Sequence, residues 1–274
     1  MFEIGIIGNG HVGIGPQTLK CNEINILVYD IIPEKCDPIN LTLDDLFKCD
    51  IIFVCVPTPI QLDTNTCYLN FVFDVIKQLK KIIKSSTHII IRSTVSVGTN
   101  NLVGTFFNPE YLPERELKKY NELEKYYFGL GMDEENNINF QKKITQIFGL
   151  AYKNGIIKHN NVVFYPNNEL ELEKYVTNSF LAVKVSFFNE IEEYCRKKDL
   201  DYNKMIEIMD TDTRFIPHWN KIPGNDGKYG YGGYCLPKDI KALYGQLQEE
   251  NVTSYILKAS IDRNDSVDRP SNDW

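Results

Sequence analysis

Cys235 stands in Gly230-Tyr231-Gly232-Gly233-Tyr234-Cys235-Leu236-Pro237-Lys238-Asp239. A thiolate is a strong nucleophile, and the glycines before it let the backbone come close to a bound ligand. Lys238 and the start of a following helix favour the thiolate electrostatically. The competing reading is a buried thiol in a glycine-rich turn. A second constellation opens the chain, where Gly8-Asn9-Gly10-His11-Val12-Gly13 follows the apolar run Ile4-Gly5-Ile6-Ile7. In such a Gly-x-Gly-x-x-Gly motif Gly8 permits a tight turn, Gly10 lets the backbone approach a pyrophosphate, and Gly13 allows close packing of helix on strand. The phosphates then sit at a helix N-terminus. A second apolar run ends in Val28-Tyr29-Asp30. A carboxylate at Asp30 accepts hydrogen bonds from ribose hydroxyls and repels a 2′-phosphate, which favours NAD over NADP. Lys174 and Asn178 lie four apart and so share a helix face. Taken alone, a solvated lysine and a polar helix position explain that pair equally well. Glu110 and Glu114 sit in a proline-bounded loop after a strand-like run, a usual place for active-site residues.

The elements that must position these groups follow from hydrophobic periodicity. Strand-like runs at Phe2–Ile7, Ile24–Tyr29, Ile51–Val56, His88–Arg92, Gly104–Phe107, Tyr126–Leu130 and Asn161–Tyr165 are separated in places by amphipathic segments such as Leu69–Lys84 and Asn139–Lys153. This alternation predicts a Rossmann-like, doubly wound parallel sheet with helices on both faces. The stretch Gly98–Gly131 reads as mostly loop, and the Asn-rich segments Glu134–Asn139 and Asn160–Asn168 as surface turns. Pro16 implies that the helix after the glycine motif is short or starts late. After Pro166 the character changes. Val176, Phe180, Val183, Phe187, Ile191 and Tyr194 recur at steps of three or four and predict one long helix over Glu169–Lys198. A short helix over Asp201–Met209, an ordered loop over Thr211–Tyr234 and a helix over Lys238–Ser260 complete the pattern. The expected organisation is therefore a dinucleotide-binding domain over 1–165 and a small all-α central and dimerisation domain over 166–274. The long helix has more apolar surface than so small a domain can cover, which predicts a homodimer.

Composition narrows the partners. The 274 residues carry a net charge of −7, which disfavours nucleic acid, and no apolar run approaches a membrane span. The start lacks the features of a signal peptide. Seven cysteines, with no Cys-x-x-Cys pair and no nearby histidine at zinc spacing, predict neither a metal site nor a disulfide framework and fit a reducing cytoplasm.

Several further blocks, in one order, carry a resemblance. After the glycine motif come Val56-Pro57-Thr58-Pro59, then Ser93-Thr94-Val95 with Gly98-Thr99, then Asn108-Pro109-Glu110-Tyr111-Leu112-Pro113-Glu114. Lys174-Tyr175-Val176-Thr177-Asn178, Phe188-Asn189-Glu190 and the Cys235 block follow. The chain resembles, over nearly its whole length, the UDP-glucose/GDP-mannose dehydrogenase family. The resemblance implies NAD-dependent four-electron oxidation of a sugar primary alcohol, UDP-glucose to UDP-glucuronate foremost, with UDP-GlcNAc, UDP-ManNAc or GDP-mannose as alternative substrates. It implies that Cys235 forms a thiohemiacetal and then a thioester, and that Lys174 and Asn178 stabilise the oxyanion. Asp239 is the implied general base, with a water or Lys174 relaying the proton; Thr94 holds the same water, Glu110 supports water or the nearby backbone, and Glu114 orients the sugar and helps position the hydrolytic water. Which group takes each proton stays open. The implied cofactor contacts are Gly8, Gly10, His11, Val12, Gly13, Asp30, Lys35, Thr58, Ser93, Thr94, Glu114 and Lys238. The implied substrate contacts are Tyr111, Leu112, Glu114, Lys174, Asn178, Arg214, Trp219, Tyr231 and Gly232, with Arg214 reaching the substrate of a neighbouring subunit.

Three features depart from the pattern. Family members normally continue into a third, UDP-binding domain, whereas this sequence stops at Asp268-Arg269-Pro270-Ser271-Asn272-Asp273-Trp274, so that domain is expected to be absent. The loop between Arg214 and Cys235 is longer than the family's, and the segment after Asp30 is short. Two other classes remain: a non-catalytic NAD-binding interaction protein derived from this family, and a reductase of another Rossmann family such as a hydroxyacid dehydrogenase, which needs no nucleophilic cysteine.

Overall fold

The computed structural model describes residues 1–112, 114–215 and 218–271, and side chains at 114, 115, 117 and 118 fall outside that description. The elements run β1 (Phe2–Ile7), α1 (His11–Gln17), β2 (Ile24–Tyr29), β3 (Ile51–Val54), β4 (Ile60–Gln61), β5 (Thr66–Cys67), α2 (Asn70–Ile82), β6 (His88–Ile91), α3 (Thr99–Val103), β7 (Phe106–Phe107), β8 (Tyr126–Leu130), α4 (Glu134–Lys153) and β9 (Val162–Pro166). Then follow α5 (Asn167–Lys197), α6 (Tyr202–Met209), α7 (Cys235–Glu249) and α8 (Tyr255–Arg263). The chain divides into two compact units, the first Met1–Pro59 with Cys67–Lys174, the second Ile60–Thr66 with Tyr175–Trp274. The division falls inside α5, past the expected 165/166 boundary, and residues 60–66 join the second unit.

The first unit is built on a seven-stranded sheet of order β2-β1-β3-β6-β7-β8-β9. Its pairings are parallel except β7 with β8. The strands are continuous apolar runs because both faces are covered. Alternate residues feed separate cores. Ile4, Ile6, Phe53 and Ile90 pack with Phe140, Ile144, Ile147 and Phe148 of α4. Ile7, Ile52, Val54, Ile89 and Ile91 pack with Val72, Ile76 and Leu79 of α2. The chain leaves β1 for β2 on one side and resumes at β3 on the other. The end of β1 is thus a topological switch point, where ligands of such sheets bind.

Several boundaries differ from those expected. Residues 98–131 are more ordered than a loop, holding α3, β7, a 3-10 helix over Glu114–Glu122 and β8. α4 begins at Glu134, in the segment read as a surface turn. Asp133 accepts from the Asn136 amide and Glu134 and Glu135 lie in the first turn, so a polar stretch forms the helix start through capping and the helix dipole. The other supposed turn, 160–168, holds β9 and the first residues of α5. α1 is short, seven residues with Pro16 inside it.

In the second unit the helix expected over Lys238–Ser260 is two helices, broken at 250–254. Asn251 takes a left-handed φ of 58° and the Val252 amide returns to Leu247 O at 2.8 Å, a helix stop that needs no glycine. α7 also starts earlier than expected, so Cys235 is its first residue and Pro237 sits in its first turn, where a missing N–H costs nothing. The inner face of α5 from Tyr175 on supplies Tyr175, Ala182, Val185, Phe188 and Cys195 to the unit's cores. Of the stripe that revealed this helix in the sequence, Val176, Phe180, Phe187 and Tyr194 are exposed, whereas Val183 and Ile191 are partly buried and pack against the unit's cores. Among the described residues no helix is long and apolar enough to cross a membrane, and no group of three or more His, Cys, Asp or Glu is placed to hold a metal ion.

Candidate active site

The glycine motif forms the turn between β1 and α1. Gly8 has φ +95°, and a Cβ on it would meet Cys55 O at 2.5 Å. A Cβ on Gly13 would lie 2.2 Å from Gly8 O, so α1 rests directly on the turn. A Cβ on Gly10 would meet nothing within 4 Å, so the space it faces is open. The protein's own packing thus demands Gly8 and Gly13, whereas Gly10 leaves room for a ligand. Asp30 closes the loop: its Oδ2 accepts from the Asn9 amide at 2.8 Å and its Oδ1 from the Ile32 amide at 2.9 Å. Asn9 also donates to Lys35 O at 2.7 Å, which fixes the backbone of Lys35 while its side chain stays exposed. His11 is exposed and Val12 half-buried against the core. Thr58 and Ser93 are buried. Ser93 Oγ donates to Val56 O at 2.6 Å, and the Cys67 thiol lies 3.7 Å from Thr58 O and 3.8 Å from Thr94 O. The loop, the open face of Gly10 and the fixed carboxylate of Asp30 together fit a dinucleotide carrying free ribose hydroxyls.

A second cluster in this unit surrounds Glu110. The backbone oxygen of Glu110 accepts from Lys174 Nζ, one carboxylate oxygen pairs with Arg92, and the other accepts from the Leu112 amide at 2.8 Å. The expected role of Glu110 is support of water or of nearby backbone. Both its carboxylate oxygens accept hydrogen bonds from within the protein. Lys174 is buried, with Nζ 5.3 Å from the Tyr111 ring centroid, and the Tyr111 hydroxyl donates to Glu173. Leu112 is half-buried against the core. A cavity of about 480 Å³ is lined by Tyr111, Tyr127, Tyr165, Glu169, Leu170 and Glu173. Glu114 lies outside the described side chains.

In the second unit Cys235, Lys238 and Asp239 lie at the start of α7, with Asn178 of α5 beside Asp239. Asp239 is buried; its Oδ2 accepts from Asn178 Nδ2 and its Oδ1 from Lys238 Nζ, both at 2.5 Å. Cys235 lies one turn before Asp239, on the same face. Of the seven cysteines, none in a disulfide, Cys235 is the exposed one. Burial pushes the Cys49 and Cys55 thiols up to about 12, which removes them as nucleophiles at neutral pH. Lys238, expected as a cofactor contact, has its ammonium committed to Asp239 within this unit.

The turn before Cys235 is held from three sides. The Gly230 amide donates to Asn189 Oδ1 at 3.0 Å and the Tyr231 amide to Asn264 Oδ1 at 2.9 Å. A Cβ on Gly232 would strike Arg269 Nη1 at 2.5 Å. Tyr231 is buried, with its hydroxyl 3.4 Å from Ser260 O. Arg214 is exposed and folded onto Asp212 at 2.5 Å, and Trp219 is partly exposed with a left-handed φ of 62°. Sequence reasoning missed Arg92, Glu171, Asn264 and Arg269 as organisers of these loops. Asn189 lay within a recognised block, but a single buried arginine or glutamate leaves no periodic signal.

Comparison with known proteins places this geometry. Residues 40–116 match the NAD-binding-domain model of the UDP-glucose/GDP-mannose dehydrogenase family, and residues 168–266 match its central-domain model. A UDP-glucose 6-dehydrogenase of Campylobacter jejuni is 27% identical over 96% of this chain and 72% of its own. In fold, the chain is similar to a UDP-glucose dehydrogenase from Pyrobaculum islandicum, with a TM-score of 0.81 at 20% identity, covering 97% of this chain and 68% of that one. It is also similar to a UDP-D-ManNAc dehydrogenase from Pyrococcus horikoshii, with a TM-score of 0.72 at 18% identity over 95% and 67%. The cofactor is NAD. With one family's two domain models covering the loops built around Glu110 and Cys235, the chain belongs to the UDP-glucose/GDP-mannose dehydrogenase family.

Proposed function

We propose that this protein oxidises the primary alcohol of a nucleotide sugar, UDP-glucose foremost, to the carboxylate, with Cys235 as the nucleophile that holds the sugar between the two oxidations. The observation that carries the proposal is an exposed cysteine at the first position of α7, one turn from a buried Asp239 that Asn178 and Lys238 hold in place. The N-terminus of a fifteen-residue helix favours negative charge on the sulfur. NAD⁺ held at the Gly8–Gly13 loop and Asp30 would supply the hydride acceptor for both oxidations. In the first, the alcohol loses its proton and becomes an aldehyde, with Asp239 as the base, through a water or Lys174. The Cys235 thiolate then adds to the aldehyde carbon, forming a C–S bond and an oxyanion. Lys174 and Asn178, one turn apart on α5, supply N–H donors to that oxyanion. Loss of a hydride from the thiohemiacetal leaves a thioester on Cys235. Water attacks it, the C–S bond breaks, and the carboxylate leaves with the thiolate restored.

UDP-glucose is favoured because the curated relative from Campylobacter jejuni carries the name UDP-glucose 6-dehydrogenase. The fold of a UDP-D-ManNAc dehydrogenase keeps that sugar as the second candidate. A panel of UDP-glucose, UDP-GlcNAc, UDP-ManNAc and GDP-mannose, followed by NADH absorbance with wild type and Cys235→Ser, tests the reading. Two NADH per sugar consumed by wild type, lost in Cys235→Ser, supports it. Failure of all four sugars overturns it.

We further propose a homodimer formed through α5. Its outer face exposes Val176, Phe180, Phe187 and Tyr194 at 48%, 65%, 52% and 57%, an apolar stripe along one helix that water would otherwise solvate.

A further inference from the structure

Arg92 follows β6 and is enclosed in the first unit, 2% exposed. A guanidinium in that position is costly unless every donor finds a partner. Its partners come from segments far apart in sequence. Nε donates to Val12 O in α1 at 3.0 Å, Nη1 to Asn108 Oδ1, and Nη2 to Glu110 Oε2. The Tyr120 ring lies 5.0 Å from Cζ. Asn108 is itself fixed by a bond to Tyr127 O at 2.7 Å. Glu110 carries the chain onward, because its backbone oxygen accepts from Lys174 Nζ. α1 sits against the same group, since a Cβ on Gly15 would lie 3.1 Å from Arg92 Nη2 and 2.8 Å from the Tyr120 ring. An unbroken run of hydrogen-bonded residues therefore leads from the helix of the dinucleotide loop, through Arg92 and Glu110, to Lys174. A planar fork suits these three acceptors on different segments, and a lysine ammonium does not reproduce it.

We infer that Arg92, acting through Glu110, is a positioning residue that couples the cofactor loop to Lys174, so that one buried pair sets both the seat of NAD and the placement of the oxyanion donor. The Lys174 half of this inference rests on the function proposed above. Arg92 itself is enclosed by protein groups, 2% exposed, and so acts through its neighbours. It fixes the Val12 carbonyl at one end and the Glu110 loop at the other, and a change in its geometry is felt at both.

The test is a double-mutant cycle with two readouts. NAD⁺ affinity is measured by fluorescence titration, which needs no turnover, and kcat is measured at saturating NAD⁺. Arg92→Lys is expected to weaken NAD⁺ binding and lower kcat, each about tenfold, within the range for coupled groups. In a Lys174→Met background the same substitution is expected to change kcat by less than about twofold, because its route to the chemistry is gone. Full additivity of the two kcat effects, or unchanged NAD⁺ affinity in Arg92→Lys, overturns the inference. A Lys174→Met enzyme as fast as wild type instead overturns the role given to Lys174, and the NAD⁺ titration still decides the cofactor half. Should Arg92→Lys not fold, the nearly isosteric Glu110→Gln carries the same cycle with the same expected outcomes.

Discussion

Glu171 lies in α5 one turn before Lys174, fully buried in the first unit. Its Oε1 accepts from the Asn100 amide at 2.9 Å and from Asn100 Nδ2 at 2.7 Å, and its Oε2 from the Gly98 amide at 2.6 Å. The carboxylate thereby caps α3 and pins the loop that follows Ser93 and Thr94. Glu171→Gln is a sharp perturbation because shape is kept. The amide oxygen can retain both Asn100 bonds, but the new NH2 then faces the Gly98 N–H, donor against donor. A hydrogen bond to a charged group contributes roughly 1.5–3 kcal/mol, and a buried donor left without an acceptor costs roughly 1–3 kcal/mol. Burial holds the Glu171 carboxyl above its usual range, so removing the charge returns part of a desolvation cost. The net destabilisation is about 2 kcal/mol, which for a unit of this size lowers Tm by about 4–8 °C. Calorimetry measures the shift, and amide hydrogen exchange locates it, with protection falling more at Gly98 than at Asn100. A Tm within about 1 °C of wild type, or equal loss of protection at both amides, would refute the reasoning.

His88 lies in the sheet core with Phe106 and Phe140 at 5.5 Å, and burial, aided by nearby Lys143, lowers its pKa from 6.5 to about 4. The folded state therefore binds this proton less readily than the unfolded chain, so the neutral imidazole's stability is complete above pH 6.5 and is lost as pH falls from 6.5 towards 4, by about 2–3 kcal/mol. His88→Phe should flatten that part of the curve in urea titrations at several pH values, and an unchanged slope would count against it. Gly13→Ala places a Cβ 2.2 Å from Gly8 O and is expected to weaken NAD⁺ binding more than about tenfold, read by fluorescence titration. Phe180→Glu puts a charge on the 65%-exposed centre of the α5 stripe and should convert a dimer into monomer in sedimentation velocity. A dimer in the variant would point to another interface.

The Rossmann half was legible because its strands are continuous apolar runs and the glycine motif sits where one of them ends. α4's polar start was not, since Glu134 to Asn137 form a helix by capping rather than by an apolar face. The α5 stripe was read correctly as a helix, although four of its six residues lie on the outer side. The inner side carries Lys174, Asn178, Ser179, Ser186 and Asn189 among its buried residues, and buried polar groups leave no hydrophobic period. The Cys235 block was legible as a glycine-rich turn carrying a candidate nucleophile, but the helix start at the cysteine itself was hidden by Pro237. Arg92 and Glu171 could not be singled out, because their importance lies in partners tens of residues away.

The central claim is that the sugar is held covalently on Cys235 between two oxidations. Rapid acid quench of the enzyme turning over UDP-glucose and NAD⁺, followed by peptide mass spectrometry, tests it most directly. The account predicts a transient adduct with the mass of the oxidised nucleotide sugar, on the peptide containing Cys235, and none in Cys235→Ala. Turnover to the carboxylate by Cys235→Ala at the wild-type rate, or an adduct on another residue, would contradict it.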